Sequence, residues 1–411
     1  MQSIQRAMLR ETIGSSQTLI CSAMSSSSSI GEGSERAGNR EPGAFPPLPS
    51  PTGILKACSD DAPRRPGGLG SLIAPSERDK GDIANRSRNL VFQAMRMLIL
   101  GSSGPIGRAI ATQAKAWGIH VVGVSRSHQV SGLVEEKHLC FDSANADDVL
   151  SGVREEAIDI VVDVIAYTEQ RTKPLLRALD GQIQRYVLVS SCDVYRNYSL
   201  LHRREKGAVE SEIDENGYLR TSLYPYRASA PRAPDDPLSW HDSYDKIPIE
   251  NDVRALRSDW TIARLPMVFG PNDHFARFGW AIKPMLANEQ QVEIPTAWLD
   301  WTTTYGFLDN MGAALCCVAT HPAAANTILN IADFPTVTHR EWLSRFQQMM
   351  GWKGTLVETA DAASPISRAT SRLDLSVPLR IKATRLLDGL GFQPPVSLNA
   401  ALYATIGSDI A

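Results

Sequence analysis

Short apolar runs alternate with amphipathic segments along most of the chain from residue 97 onward. Met97–Leu100 and Ile119–Val124 have the length and composition of strands that are buried on both faces of a sheet. Between them, apolar residues recur at helical spacing from Ile106, and Gly118 ends the pattern. The pattern therefore predicts a strand, a tight loop, a helix and a second strand in direct succession.

The same alternation continues toward the C-terminus. The further predicted strands are His138–Phe141, Ile158–Ile165, Tyr186–Ser190 and Thr261–Leu265, and the helices between them are Asn145–Glu155, Thr172–Ala178 and Ile249–Leu256. Strands that alternate with helices form a parallel sheet with right-handed crossovers. The predicted fold is therefore α/β, a Rossmann-like doubly wound parallel sheet. Two later helices that end at glycine are predicted at Ser344–Gly351 and Ala383–Gly391.

The first 94 residues have a different composition from the rest. Residues 1–94 contain a serine run at Ser25–Ser29, stretches rich in proline and glycine, and no apolar periodicity. Such a segment buries too little apolar surface to offset the entropy of ordering, so a disordered tail is predicted. A transit peptide and a start of translation at Met95 or Met97 are alternative explanations of this tail.

The remainder divides into two predicted domains. Residues 95–270 are predicted to form the Rossmann-like, dinucleotide-binding domain. Within it, residues 196–240 are predicted to be a long loop, and such loops are usually functional or act as a lid. Residues 271–411 have shorter elements and many aromatic residues. They are predicted to form a smaller C-terminal substrate cap, with segments that return to the sheet.

Three glycines, Gly101, Gly104 and Gly107, follow the first strand at G-x-x-G-x-x-G spacing. Gly101 permits the tight turn, Gly104 lets the backbone approach a pyrophosphate, and Gly107 lets the helix pack closely on the sheet. The amides at the helix start and the positive end of its dipole hold phosphates, and proline fits the first helical position. The sequence therefore predicts a dinucleotide site. Its predicted contacts are Gly101, Ser103, Gly104, Pro105, Ile106 and Gly107.

Charge and cysteine usage exclude several other functions. A net charge of −3 offers no basic surface of the kind that nucleic acids need, so nucleic-acid binding is not expected. Six scattered cysteines without a C-x-x-C pair predict a reducing compartment, with no metal site and no disulfide framework. No apolar run reaches the roughly 20 residues that span a bilayer. We therefore expect a cytoplasmic protein without a membrane partner, with organellar targeting by the tail as the alternative.

The motifs along the chain resemble, in order, those of the extended or atypical short-chain dehydrogenase/reductase superfamily, the NAD-dependent epimerase/dehydratase group. The resemblance runs from about Met97 to Ile406 and rests on GSSGPIG, the strand-end Asp142, VLVSSCDVY, YDK near residue 245, ARLPMVFGPND, FLDN, LNIADFPTVTHREW and LLDGLGFQP. It implies a dinucleotide cofactor, a small-molecule substrate, and a homodimer formed through the helices that flank the sheet.

The resemblance also implies a Ser/Tyr/Lys proton relay. In this sequence Ser191 would bind the substrate hydroxyl or carbonyl, and Lys246 would hold the cofactor ribose. A tyrosine near pKa 10 is a poor base at pH 7, and an adjacent ammonium favours its phenolate.

The tyrosine of this relay is displaced from the family position. Asp242 stands four residues before Lys246, where the family has tyrosine, and Tyr244 is the nearest tyrosine. On a regular helix Tyr244 would point about 200° away from Lys246. Because Pro248 disfavours regular helix at the residue before it, Tyr244 is nevertheless assigned the role. Tyr224 and Tyr226 in the long loop are alternatives.

Cofactor choice depends on the end of the second strand. Ser125-Arg126-Ser127 occupies the place where NAD sites usually carry an acidic residue that binds the ribose 2′-hydroxyl. A cation beside hydroxyl groups suits a 2′-phosphate, so Arg126 predicts NADP, with NAD as the second choice. By resemblance Asp142 contacts the adenine, and Ala166 at another strand end is a further cofactor contact.

Aromatic residues surround an arginine beyond Gly270. Arg277, Trp280 and Trp301 are the candidate substrate contacts. Aromatic rings beside a cation suit a sugar ring or an anionic group, as in a nucleotide sugar. Packing of the same rings in the core of the cap is the alternative.

Two functions fit these observations. The first is an NAD(P)-dependent reductase, epimerase or dehydratase that moves a hydride while a tyrosine relays the proton. The second is a catalytically degenerate protein on the same fold that senses a dinucleotide or binds RNA. Asp242 in the tyrosine position supports the second, whereas Ser191, Lys246 and the aromatic cap favour the enzyme.

Overall fold

The protein is described here by a computed structural model. It describes residues 95–127, 135–271, 273, 275, 277–360 and 370–410. The tail predicted to be disordered, residues 1–94, lies outside these described residues.

A seven-stranded parallel sheet forms the centre of the molecule, with strand order β11-β6-β5-β4-β1-β2-β3. The strands are β1 Arg96–Leu100, β2 His120–Ser125, β3 Lys137–Cys140, β4 Ile160–Asp163, β5 Arg185–Ser191, β6 Asp259–Leu265, β7 Met267–Phe269, β8 Gln291–Pro295, β9 Thr302–Thr303, β10 Tyr305–Phe307, β11 Thr327–Asn330, β12 Val337–Thr338 and β13 Thr355–Thr359. The remaining six strands pair two by two, as β10 with β7, β12 with β9 and β13 with β8. The predicted doubly wound parallel sheet is confirmed.

Helices connect these strands. They are α1 Pro105–Ala116, α2 Ala146–Glu155, α3 Glu169–Leu179, α4 Arg196–Leu201, α5 Lys246–Arg254, α6 Gly279–Leu286, α7 Thr296–Asp300, α8 Leu308–Thr320, α9 His339–Met350 and α10 Leu398–Ile410. Several begin directly after a residue whose side chain caps them. In α3, for example, Thr168 Oγ1 accepts a hydrogen bond from Arg171 N at 3.4 Å, so the helix starts before the predicted Thr172.

Two predictions for the chain after β5 differ from the structure. Residues 196–240 do not form a loop throughout, because α4 occupies the first six of them with Tyr198, Leu200 and Leu201 buried. The polar composition of the segment as a whole concealed this short apolar helix. The helical turn predicted at Ala383–Gly391 is of the wider π type at Arg385–Gly389, where Leu390 N donates to Arg385 O at 3.0 Å.

Alternation along the strands divides the core between the two faces of the sheet. Met97 and Ile99 face one core cluster together with α1 and α8, whereas Leu98 and Leu100 face another together with α2, α3 and α5. α1 and α8 approach closely because Gly312 has no side chain: a Cβ there would lie 2.6 Å from the backbone carbon of Ala109. Both faces of the sheet are therefore covered by helices, as parallel sheets require.

Residues on both sides of β11 form a separate aromatic cluster away from the sheet. Phe278 lies 5.5 Å from Phe269, 5.4 Å from Trp342 and 5.0 Å from Phe346 between ring centres. α9 contributes two of these rings and is well terminated, with a capping box at Thr338 and a left-handed Gly351.

Asp333 follows β11 and joins it to the start of α8. Its Oδ2 accepts hydrogen bonds from Phe307 N at 3.0 Å and from Asn310 Nδ2 at 2.8 Å. Burial raises the pKa of Asp333 to about 7, although these hydrogen bonds oppose the shift. The folded protein therefore holds a proton here that the unfolded chain releases near pH 4.

We predict that Gly312→Ala lowers the free energy of unfolding by about 1–3 kcal/mol, because its Cβ would overlap the α1 backbone. Urea denaturation followed by circular dichroism measures the change. Gly389→Ala is the matched control, since a Cβ at that position would meet no atom within 4 Å in the described residues beyond its chain neighbours and its own helical turn. Equal effects of the two substitutions would contradict the close α1–α8 contact.

Asp333 predicts a pH dependence of stability. The stabilisation from its raised pKa is complete below about pH 4 and is lost as the pH rises through about 7. Asp333→Asn keeps an acceptor oxygen without the charge, so above pH 7 it should raise the free energy of unfolding by on the order of 2–4 kcal/mol. Denaturation at several pH values tests this, with the exposed Asp300→Asn as control. Parallel curves for Asp333→Asn and the unmodified protein would contradict it.

Candidate active site

The glycine loop between β1 and α1 has the backbone geometry that the sequence predicts. Gly101 has a φ of +89°, and its N–H donates to Val124 O at 3.0 Å, which turns the chain sharply after β1. A Cβ on Gly107 would lie 2.3 Å from Gly101 O, so only glycine lets the helix lie this close to the loop. The first amides of α1, which starts at Pro105, have no acceptors within the helix. The N-terminus of α1 is therefore held at the carboxyl edge of the sheet.

The ends of β2 and β3 lie beside this loop. Arg126 is exposed directly after β2, and Arg171 Nη2 lies 3.0 Å from Asp142 Oδ1 after β3. Burial disfavours ionisation of Asp142, but the hydrogen bond from Ala144 N and the charges of Arg171 and Arg126 outweigh it and keep its pKa below the ordinary value. Arg126 and Asp142, both predicted cofactor contacts, therefore influence each other at one end of the crevice.

Ser191 is the last residue of β5, and the chain turns sharply after it. Its Oγ accepts a hydrogen bond from Asp193 N at 3.1 Å, which caps the short 3-10 turn Cys192–Val194. Ser191 is buried, with 2% of its surface exposed. This turn places Ser191 and Asp193 at the carboxyl edge, next to the end of β4.

Asp193 is fully buried and receives two tyrosine hydroxyls. Its Oδ2 accepts from Tyr226 Oη at 2.8 Å and from Tyr244 Oη at 2.9 Å. Burial raises the pKa of Asp193, against the opposing effects of the Arg220 charge and the two hydrogen bonds. Its other oxygen, Oδ1, has no hydrogen-bond partner among the residues that the structure describes. The group is therefore a carboxyl that retains a proton more readily than an ordinary aspartate.

Lys246 lies beside these groups as the first residue of α5. Its buried Nζ donates to Ala166 O, three residues after β4, at 2.7 Å and to Val189 O, within β5, at 2.9 Å. The same Nζ lies 5.9 Å from the centre of the Tyr244 ring. The ammonium is thus held near the tyrosine that the sequence assigns to the relay.

The backbone before α5 explains how Tyr244 comes close to Lys246. Tyr244 is extended, with φ −69° and ψ 125°, and forms an isolated antiparallel bridge with Thr168. The helix starts only at Lys246, with Asp245 as its cap. Because Tyr244 lies outside the helix, the helical angle between the two residues does not apply.

Asp242, four residues before Lys246, has a different environment. Its carboxylate accepts from Ala228 N at 3.1 Å and Arg232 N at 2.7 Å, and it is paired with the Arg232 guanidinium. It therefore anchors the loop rather than facing the glycine loop. Tyr224, one of the alternative tyrosines, lies under the Arg227 guanidinium at 3.8 Å.

Two residues of this cluster were not assigned roles from the sequence. In the sequence Asp193 is part of the motif SSCDVY without a predicted role of its own, and Tyr226 is predicted only as an alternative to Tyr244. One signal in the sequence was Asp193 itself, an acidic residue directly after an apolar strand. A carboxylate that is buried at such a position needs hydrogen-bond donors from elsewhere in the chain. The donors come from residues 33 and 51 positions away, a separation that local patterns do not reveal.

The predicted substrate contacts lie in the segment after β7. Arg277 is buried and its Nη1 lies 2.8 Å from Asp273 Oδ1, while Trp280 Nε1 donates to Arg277 O at 2.8 Å. Trp301 is buried, donates from Nε1 to Val377 O at 2.8 Å and stacks on Trp298 at 5.1 Å. These contacts hold the side chains in place, and their role toward a substrate stays a prediction.

The described residues contain no group of three or more His, Cys, Asp or Glu side chains that could hold a metal ion. Within the same part of the chain, no helix is long and apolar enough to cross a membrane.

Comparison with known proteins gives matches at the level of family and fold. No curated protein matches the chain. Similar solved structures include an epimerase from Methanothermobacter thermautotrophicus, with 15% identity, a TM-score of 0.56, and coverage of 78% of this chain and 94% of the other. The UDP-glucose 4-epimerase of Thermotoga maritima with UDP-glucose has 14% identity, a TM-score of 0.53, and coverage of 76% and 98%. A dTDP-glucose 4,6-dehydratase from Bacillus anthracis in complex with NAD has 14% identity, a TM-score of 0.53, and coverage of 77% and 96%.

At these identities the structural likeness concerns the fold. The family model of the NAD dependent epimerase/dehydratase family, in contrast, matches residues 97–332, which is more than half of the chain. This match contains the glycine loop, the Ser191 turn and Lys246. The protein therefore belongs to the NAD-dependent epimerase/dehydratase family, as its motifs predict.

Proposed function

We propose that the protein is an NAD(P)-dependent enzyme that acts on a nucleotide-sugar type of substrate by hydride transfer at a carbinol or carbonyl carbon. The observation that carries this proposal is the hydrogen bond from Tyr244 Oη to the buried Asp193, beside Ser191 and Lys246 at the end of β5. The family membership supports it.

The residues at the carboxyl edge fit a dinucleotide. The tight glycine loop brings the α1 amides to the edge, where they would hold the pyrophosphate. Ser102 Oγ, fully buried in this loop, has no hydrogen-bond partner among the described residues. Asp142 would contact the adenosine, and Lys246 with the Ala166 carbonyl would contact the second ribose. When bound, the cofactor supplies the nicotinamide ring that accepts or donates a hydride.

For the cofactor we propose NADP before NAD. Arg126 is exposed directly after β2, and neither of the residues beside it, Ser125 and Ser127, is acidic. A guanidinium at this position suits a 2′-phosphate. The B. anthracis dehydratase binds NAD, which supports NAD as the second choice. The T. maritima epimerase binds UDP-glucose, which supports a nucleotide sugar as the substrate class.

Proton transfer in this proposal passes through Tyr244 to Asp193. Tyr244 Oη would take the proton of a substrate hydroxyl while it passes its own proton to Asp193 Oδ2 at 2.9 Å. Burial raises the pKa of Asp193, which favours its carboxylate as the acceptor of that proton. Lys246 would favour release of the Tyr244 proton to Asp193, and Ser191 would orient the substrate oxygen.

A second function is favoured by one observation. Tyr226 and Tyr244 are each only 1% exposed, and both hydroxyls already bind Asp193. A site in which these tyrosines have a purely structural role would bind a dinucleotide without turnover, as in a sensor. The small net charge argues against the RNA-binding form of this alternative.

Replacement of the tyrosine distinguishes the two functions. We predict that Tyr244→Phe lowers kcat on a nucleotide sugar, tested with UDP-glucose and dTDP-glucose, by about 10²–10⁴-fold. Asp193→Asn should lower kcat in the same way, because it removes the proton acceptor. Reduced nicotinamide absorbance and product analysis measure turnover, and calorimetry measures dinucleotide affinity.

Tyr403→Phe is the control for these variants, since its side chain is 67% exposed on α10. Loss of turnover in Tyr244→Phe with unchanged dinucleotide affinity supports the relay. Dinucleotide binding without turnover in the unmodified protein on every substrate of the panel would instead support the sensor. No dinucleotide binding at all would overturn both.

A further inference from the structure

Three side chains form a hydrogen-bonded chain at the β2–β3 edge of the sheet. Ser125 Oγ lies 3.0 Å from His138 Nε2, and His138 Nδ1 lies 3.2 Å from Glu135 Oε1. The Glu135 side chain is 1% exposed and that of His138 is 14% exposed. A buried carboxylate is thus connected through an imidazole to a serine hydroxyl.

A missing side chain on β2 makes room for this carboxylate. Gly123 is the direct neighbour of His138 in the β2–β3 pairing. A Cβ on Gly123 would lie 2.2 Å from Glu135 Oε1 and 2.6 Å from Ser102 Oγ. Glycine at this position therefore lets Glu135 lie against the glycine loop, and any larger residue would displace it.

The row of hydrogen-bonded side chains from Glu135 through His138 ends at Ser125. In a dinucleotide-binding sheet this position recognises the adenosine ribose. Ser125 is the last residue of β2, and Arg126 follows it. In such sheets the residue at the end of the second strand meets the ribose 2′-substituent. Ser125 therefore takes the place of the acidic residue that a 2′-hydroxyl would meet, and its hydrogen-bonding direction depends on His138.

We propose that His138 selects the 2′-substituent of the cofactor by reversing the hydrogen bond to Ser125, an inference that rests on the proposed dinucleotide function. With a neutral ring, Nδ1–H donates to Glu135 and Nε2 accepts the Ser125 O–H. The serine oxygen then offers only lone pairs, which suit a 2′-hydroxyl donor, as in NAD.

Protonation of the ring reverses the Ser125 bond. Both ring nitrogens then donate, to Glu135 and to Ser125 Oγ. The Ser125 O–H turns away from the ring toward Ser127 O, at 3.3 Å, or toward a phosphate oxygen. A 2′-phosphate would favour this state through its charge and through the hydrogen bond from Ser125. Binding of NADPH therefore takes up a proton at His138, whereas binding of NADH does not.

Three other charged groups near His138 have partners of their own. Glu136 Oε2 accepts from Val121 N at 2.8 Å, Lys137 Nζ lies 2.5 Å from Glu156, and Asp142 is paired with Arg171. On α1, on β2 with the two residues after it, and on residues 135–142, the other titratable or charged side chains are those of Arg108, Lys115, His120, Arg126, Glu135, Glu136, Lys137, Cys140 and Asp142. Of these, Glu135 bonds directly to the ring and Arg126 is the cation beside Ser125.

Calorimetric titration of the full chain with NADPH and with NADH tests the inference. The titrations are made at about pH 6 and about pH 8, and in two buffers of different ionisation enthalpy to count protons. Because the 2′-phosphate itself titrates near pH 6, variants are compared with the unmodified protein at each pH. The variants are His138→Gln, Glu135→Gln and, as a control on the same strand pair, His120→Gln.

In the unmodified protein the ratio of NADPH affinity to NADH affinity should be higher at about pH 6 than at about pH 8. We expect this increase to be about tenfold larger than the increase measured for His138→Gln. Proton uptake with NADPH should be lower in His138→Gln than in the unmodified protein at each pH and unchanged in His120→Gln. Glu135→Gln, which retains the shape of the side chain, should lower the uptake, and it provides a second test if His138→Gln does not fold.

The outcomes separate this inference from the proposed function. If the unmodified protein binds a dinucleotide and His138→Gln leaves both the affinity ratio and the proton uptake unchanged, His138 has no selecting role, while the proposed function stands. If the unmodified protein binds neither dinucleotide, the proposed function fails and this inference fails with it.

Discussion

Burial of one carboxyl group, that of Asp193, determines how the chain folds around the candidate active site. A buried carboxyl needs hydrogen-bond donors, because leaving it unsatisfied would cost several kcal/mol. The donors are Tyr226 and Tyr244, while Arg220 binds the Asp193 backbone oxygen through Nε at 2.9 Å. The same guanidinium forms a buried ion pair with Asp245, the cap of α5. A single buried acid thus fixes the long loop and the start of α5 relative to β5.

A second buried network of hydrogen bonds and an ion pair joins the ends of β5, β6 and β11 beside this site. Arg264 on β6 pairs with Glu250 on α5 at 2.6 Å, and Glu250 also accepts from Ser190 Oγ at 2.6 Å. Tyr195 Oη donates to Asn330 Oδ1 at 2.6 Å and accepts from Arg264 Nη1 at 3.0 Å. Loss of one partner from such a network would leave a buried charge unpaired, at a cost of about 3–5 kcal/mol. The ends of β5, β6 and β11 are therefore held together independently of any ligand.

The sequence predicts the parts of this protein whose physics is local. The alternation of apolar runs and helical spacing predicts the parallel sheet, and the three glycines predict the turn that Gly101 and Gly107 make. Elements without strong local periodicity were missed or misjudged, as with α4. The tertiary partners of Asp193 and the chain from Ser125 to Glu135 could not be predicted, because they join residues through register and burial rather than through spacing.

In the proposed function, the carboxyl edge of the sheet holds a nicotinamide dinucleotide with its reactive ring near Tyr244. A crystal structure of the full chain grown with NADPH tests it most directly. We predict that the pyrophosphate lies on the amides at the start of α1 and the second ribose on Lys246, with the nicotinamide directed toward Tyr244 Oη. A dinucleotide bound elsewhere, or an unchanged glycine loop without dinucleotide at saturating concentration, would contradict the account.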